Sequence, residues 1–209
     1  MSMLGDGRMT VTARRGAPRR DEPSARERLI ATATELFYRD GIRAIGIDAV
    51  LAKSGVAKST LYRNFGSKDE LIAAVAAEQD RRFWQWWDQI EQEKARPPRK
   101  VVEALFIGII ELVSRPTFRG CPFINVAIEF PDRSHPATAV ACANKQMVRQ
   151  RLRDLSAAMG ARNPVRLGDQ LALLMDGAYG QAVTLGTADL REDLLSSMTR
   201  LIDGESDLN

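Results

Sequence analysis

The stretch from Ile47 to Leu71, IDAVLAKSGVAKSTLYRNFGSKDEL, constrains this chain more than any other. It reads as two short helices joined by a tight turn, with a third helix starting behind them. Asp48 to Lys53 is the first piece, with Val50 and Leu51 apolar. Ser54-Gly55 ends it, because glycine reaches the left-handed conformation that a helix C-terminus often needs. In the second piece, Ala57 to Phe65, Leu61 and Phe65 lie four apart and share one face. The other face carries Lys58, Ser59, Thr60, Tyr62, Arg63 and Asn64. Gly66 stops the piece, and Ser67 with Glu70 three residues on has the pattern of a capping box.

Two short helices around a glycine-containing turn can place the second in a DNA major groove. Lys58, Arg63 and Lys68 could neutralise phosphates, while Ser59, Thr60 and Tyr62 could reach base edges. The spacing alone fits equally well an ordinary helical hairpin with a solvated polar face.

The residues narrow this further. Gly41-Ile42-Arg43, followed by the unbroken run from Gly55 to Leu71, GVAKSTLYRNFGSKDEL, resembles the DNA-binding domain of the TetR/AcrR family of bacterial repressors. The resemblance covers about residues 24 to 71. It implies an all-α fold: a three-helix helix-turn-helix domain over 24–70 and a larger helical domain over 71–209 for effector binding and dimerisation. It implies DNA contacts from Arg43, Ile47, Lys58, Ser59, Thr60, Tyr62, Arg63 and Lys68. It further implies a homodimer on a palindromic operator, released by a small-molecule effector. Gly46 departs from the pattern, since the family usually caps the second helix with Ser or Thr. The cap is weaker by a few tenths of a kcal/mol, and a hydroxyl that often touches phosphate is missing.

Composition agrees with a globular chain: 209 residues, 44% hydrophobic, net charge +3. Residues 1–70 hold 13 Lys and Arg against 9 Asp and Glu, whereas the remainder holds 17 against 18. The basic excess thus sits with the helix-turn-helix. Two cysteines, Cys121 and Cys142, and one histidine, His135, offer no zinc spacing, and neither metal nor cofactor is expected. No apolar run is long enough to span a membrane and no signal peptide is evident, so a cytoplasmic protein with reduced thiols is expected.

In order along the chain, Met1 to Pro23 reads as a disordered basic tail carrying Arg14, Arg15, Arg19 and Arg20. Ser24 and Glu27 form a capping box, and Leu29, Ile30, Ala33, Leu36 and Phe37 make one buried stripe. Ser67 to Glu93 reads as one long helix holding all three tryptophans, Trp84, Trp86 and Trp87. Ala95 to Arg99 is a break, and Val101 to Ser114 is a helix apolar almost all round. Residues 115–136 are broken by four prolines and Gly120. Their aromatics and polar groups suit either a small-molecule pocket or a packed corner. The candidate effector residues are Trp87, Phe106, Phe118, Cys121, Phe123, Asn125, Glu129, Met175 and Tyr179. Asn125 and Glu129 share a face if Phe123 to Phe130 is helical.

Pro136 to Met159 is a long helix whose Lys145, Arg149, Arg151 and Arg153 read as a solvated face. Two more helices follow, from Val165 and after Asp189, with Gly177, Ala178 and Gly180 small enough for close approach by a neighbour. The resemblance implies that these two pair with their mates as a four-helix interface, here through Leu171, Leu174, Gly177, Ala178, Gln181, Leu194, Met198 and Leu201. The tail after Gly204 reads as frayed. A reading of another class stays open, a small all-α enzyme or carrier for a lipid-like molecule whose N-terminal hairpin is only structural.

Overall fold

The computed structural model describes residues 22–93 and 97–205. The expected basic tail apart from Glu22 and Pro23, the first two residues of the Ala95–Arg99 break, and the acidic tail beyond Glu205 lie outside that range. Among the described residues the chain is all α: α1 (Ala25–Asp40), α2 (Ile47–Ser54), α3 (Lys58–Asn64), α4 (Lys68–Gln92), α5 (Pro98–Val113), α6 (Pro122–Glu129), α7 (Pro136–Ala158), α8 (Pro164–Thr184) and α9 (Leu190–Glu205).

Local chemistry sets the starts and stops. Ser24 Oγ accepts from the Glu27 amide at 3.2 Å, and the Glu27 carboxylate accepts from the Ser24 amide at 2.7 Å, a complete capping box. Gly55 takes φ 65° at the end of α2, so the turn needs no strained side chain. Gly46 caps α2 without a side-chain bond, as the sequence implies. At α4 the pattern differs slightly from expectation. Ser67 Oγ accepts from the Glu70 amide at 3.1 Å, but the Glu70 carboxylate reaches past Ser67 to the amide of Gly66 at 2.8 Å. α5 begins at Pro98, three residues before the expected start, because proline at a first helical position lacks only an N–H that would be unpaired there anyway.

α1 packs on α2, α3 and α4, burying Leu29, Val50, Leu61 and Leu71 completely. α4 is 25 residues long, about 37 Å, and leaves this cluster to pack on α5, α6 and α7. Its Trp87 is fully buried and donates to Glu91 at 2.6 Å. α7 and α8 are the most intimate pair. At their crossing a Cβ on Gly168 would lie 2.5 Å from the Arg153 backbone nitrogen, so only glycine fits. Close approach inside the protomer therefore falls at Gly168, while Gly177 and Gly180 face open space.

The basic run on α7 is not the solvated face expected. Arg149 and Arg153 both hold Asp169 of α8, at 2.7 and 2.8 Å, Lys145 pairs with Asp176, and Arg151 bridges Asp88 and Glu91 of α4. The Arg153 and Arg149 hydrogen bonds hold the Asp169 carboxyl well below the usual carboxylate range. Nor does the chain fray directly after Gly204. The Glu205 carbonyl accepts from the Arg162 amide and its carboxylate from the Asn163 amide, tying α9 to the α7–α8 turn.

Candidate DNA-reading face and helix-lined cavity

The outer face of α3 is built by two apolar anchors on its inner side. Leu61 is fully buried and Phe65 nearly so, and this turns Lys58, Ser59, Tyr62, Arg63 and Asn64 outward, with Thr60 half-buried. Tyr62 is 49% exposed although it is aromatic. Few bonds tie this face down. Lys58 Nζ lies 3.5 Å from Asp48, Arg63 donates to Thr60 Oγ1 at 2.9 Å, and Asn64 donates to the Thr60 carbonyl at 2.7 Å. Ile47 is half-buried and packs against the core.

Two of the expected phosphate ligands are engaged elsewhere. Arg43 donates from Nε to the Glu129 carbonyl at 2.8 Å and lies over the Phe130 ring. Lys68 donates from Nζ to the Ile42 carbonyl at 2.9 Å and sits over Phe37. Both side chains brace the α1–α2 turn, and neither is a free cation in this conformation.

Glu129 is the clearest departure among the effector candidates. It stands away from the large cavity, and its two carboxylate oxygens accept from the amides of Ile42 and Arg43, at 3.1 and 2.8 Å. α6 is helical, so Asn125 and Glu129 do share a face, but that face looks at the N-terminal helices. Asn125 likewise donates to the Arg119 carbonyl rather than into the large cavity. Trp87 and Phe106 are fully buried in the core and do not line it either.

The cavity itself, partly open to solvent and about 470 Å³ in volume, lies between α1, α4, α5, α6, α7 and α8. Phe118, Cys121, Phe123, Met175 and Tyr179 line it, as the sequence suggested. Sequence reasoning missed Tyr38, Phe83, Trp86, Gly108, Asn144 and Lys145. Trp86 lies flat on Gly108, where a Cβ would meet its ring at 2.6 Å. Tyr38 belongs to α1, yet its hydroxyl donates to the Gly120 carbonyl at 3.0 Å and accepts from the Arg119 amide at 2.9 Å. Burial, the largest influence, pushes its phenol above the usual value. One α1 side chain is therefore part of the cavity wall.

A third surface lies on α8 and α9. Leu171, Ala178, Leu194 and Met198, expected at a two-fold interface, are buried inside the protomer. α8 is apolar on two sides, and these residues take the inner one. Leu174, Gln181 and Leu201 are half-buried. The outer side carries Leu173 at 72% exposure, Val183, Gly177 and Gly180.

This geometry matches a known family. A family model of the bacterial regulatory proteins of the tetR family matches residues 29–75. The crystal structure of a TetR-family transcriptional regulator from Streptomyces coelicolor is 32% identical, with 88% of this chain and 96% of that one covered at a TM-score of 0.83. The chain belongs to the TetR family. It is a DNA-binding transcriptional regulator, and because the family's members are not enzymes, the enzyme alternative falls.

Among further relatives of this TetR-family regulator, a transcriptional repressor from Mycobacterium tuberculosis is 38% identical over 69 residues, 31% of this chain and 37% of its own. The chain thus spans little more than a third of that relative's length. A transcriptional activator, FasR, from Mycolicibacterium smegmatis is 43% identical over 56 residues, 27% of this chain and 25% of its own. Among the described residues no helix is long and apolar enough to cross a membrane, and no cluster of metal-ligating side chains occurs.

Proposed function

We propose that this TetR-family regulator is a homodimeric, cytoplasmic repressor that reads a palindromic operator and is released when a small molecule fills the 470 Å³ cavity. In this reading residues 24–70 form the reading domain and 71–209 the effector and dimerisation domain. Lys58, Ser59, Thr60 and Tyr62 meet bases or adjacent phosphates, with Ile47 at their edge. Arg63 meets phosphate directly, and Arg43 and Lys68 do so by reorienting from the α1–α2 turn. One recognition helix holds too few contacts for a specific site, so two copies on successive major grooves, about 34 Å apart, are needed.

The observation that carries the reading is Tyr38. Its hydroxyl is bonded to Arg119 and Gly120 of the cavity wall, while its helix packs on α2 and α3. A ligand that moved that wall would therefore disturb the reading head. It could do so only through a difference in affinity between two arrangements. The outer face of α8 supports the dimer, since Leu173, Gly177, Gly180 and Thr184 follow helical spacing on one side, all exposed.

The test pairs wild type with Leu173→Arg, by sedimentation and by gel shift on the DNA flanking the gene. The wild type is expected to sediment as a dimer and shift that DNA. Leu173→Arg is expected to sediment as a monomer and lose the shift. A dimer that ignores the flanking DNA sinks the operator reading, a monomeric wild type sinks the dimer, and a Leu173→Arg protein that still dimerises moves the interface off the outer face of α8. Loss of the gene should raise expression from the operator, and a fall would make the protein an activator.

A further inference from the structure

The cavity's polar groups say what should fill it. Several of them are already satisfied by the protein. Tyr38 uses its hydroxyl twice, Asn144 donates to Asp80 at 2.9 Å, Arg82 is held by Glu78 at 2.7 Å, and Lys145 is held by Asp176. Hydrogen bonds from Arg81 and then Arg82 lower the Glu78 pKa to about 2, so that pair stays ionised and closed.

Gln79, Trp86, Thr117 and Tyr179 of the lining have side-chain polar atoms without a hydrogen-bond partner among the described residues, and Tyr179 is the most buried of them. Only 5% of it is exposed, it lines the cavity, and its hydroxyl has no hydrogen-bond partner among the described residues. Burial above all, then the neighbouring Cys121 and Asp176, push its phenol far above the usual value, so it stays a neutral donor. A donor left at a cavity wall without a protein partner is best met by an acceptor on whatever fills the cavity.

Resting on the effector reading of this cavity, we propose that it takes an uncharged planar aromatic carbonyl compound, with its rings among Phe83, Trp86, Phe118 and Phe123 and its oxygen accepting from the Tyr179 hydroxyl. The walls are aromatic faces and edges, with the Phe118 and Tyr179 rings inclined by only 28°, and the sulfurs of Cys121 and Met175 add polarizable contacts. Charge selects against ions. Two of the lining's cations, the exposed Arg82 and the half-buried Lys145, already have carboxylate partners, and Asp176 sits near the hydroxyl. A ligand carboxylate would lose its water there without gaining a free cation. A ligand cation would likewise find the Asp176 carboxylate already taken. The unpaired charges of the lining, Arg115 and Glu111, are exposed. A bare acyl chain would leave the Tyr179 hydroxyl unmet.

The test is calorimetry of the full chain with five probes: acetonaphthone, ethylnaphthalene, naphthoate, trimethylnaphthylammonium and laurate. Acetonaphthone is expected to bind about tenfold more tightly than each of the others. Tyr179→Phe should bring acetonaphthone to the level of ethylnaphthalene and leave ethylnaphthalene unchanged. Preference for naphthoate, the ammonium or laurate overturns the ligand class while leaving the effector cavity standing. So does a Tyr179→Phe variant that keeps the ketone advantage. Failure of every probe to bind overturns the effector reading as well. If Tyr179→Phe does not fold, the ranking of the five probes on wild type still decides.

Discussion

The α3 face and the cavity are built in opposite ways. The face comes from one continuous stretch. Two buried anchors, Leu61 and Phe65, aim its polar side chains outward, and those side chains are left lightly bonded. The cavity is assembled from six helices, and its buried Asn144 and half-buried Lys145 are already paired while the nearly buried Tyr179 is not. A surface that must exchange water and counterions for DNA benefits from loose, solvated donors. In the proposed effector reading, a chamber whose most buried unmet group is Tyr179 lets that one group weigh heavily in selectivity.

The largest effect should come from breaking the anchor of the first region. Leu61→Ala removes a fully buried side chain beneath α3 and is expected to cost about 2–5 kcal/mol, read from denaturant unfolding. DNA binding should go with it, while binding of a cavity probe survives in the fraction that stays folded. Equal loss of both functions at temperatures where the chain is folded would mean that the two regions do not stand apart.

The two regions differ just as much in how far the sequence reveals them. The reading head was legible because its determinants are local: the Ser24–Glu27 capping box, the Gly55 turn and the four-residue spacing of Leu61 and Phe65. The cavity was half legible. Phe118, Cys121 and Phe123 stand out in a proline-broken segment, but Tyr38 looks like any other residue of α1 until α6 is packed against it. Helical spacing correctly grouped Asn125 with Glu129 and could not say which way the pair faces. The same limit put Leu171, Ala178, Leu194 and Met198 among the expected dimer residues although they are buried inside the protomer. α8 has two apolar sides, and only packing shows that Leu171 and Ala178 face inward while Leu173 faces out.

An intermediate effect should come from the strut that joins the regions. Glu129 offers two acceptors to two converging amides, those of Ile42 and Arg43. Glu129→Gln keeps the shape but turns one acceptor into an NH₂ donor facing an amide donor. The expected cost is about 1–3 kcal/mol, with the loss of operator affinity exceeding any loss of probe binding. If that contact carries the proposed coupling, the ratio of operator affinity with and without a bound probe should also move toward one. An unchanged ratio would leave Tyr38 as the sole route between cavity and head.

The smallest effect tests whether the face extends beyond α3. Lys68 donates to the Ile42 carbonyl at 2.9 Å and lies over Phe37, so in free protein its charge is partly occupied. Reorientation to a phosphate would exchange one hydrogen bond to a neutral carbonyl for one to an anion, and charge-assisted bonds are the stronger kind. Lys68→Ala should then weaken binding to operator and random DNA alike and reduce the salt slope of log K by about 0.9. Tyr62→Ala supplies the contrast, since a base-reading residue should lose about tenfold on operator and little on random DNA. A Lys68→Ala protein with an unchanged salt slope but lower thermal stability would place Lys68 with Glu129 as a brace of the α1–α2 turn. The DNA-reading surface would then end at α3.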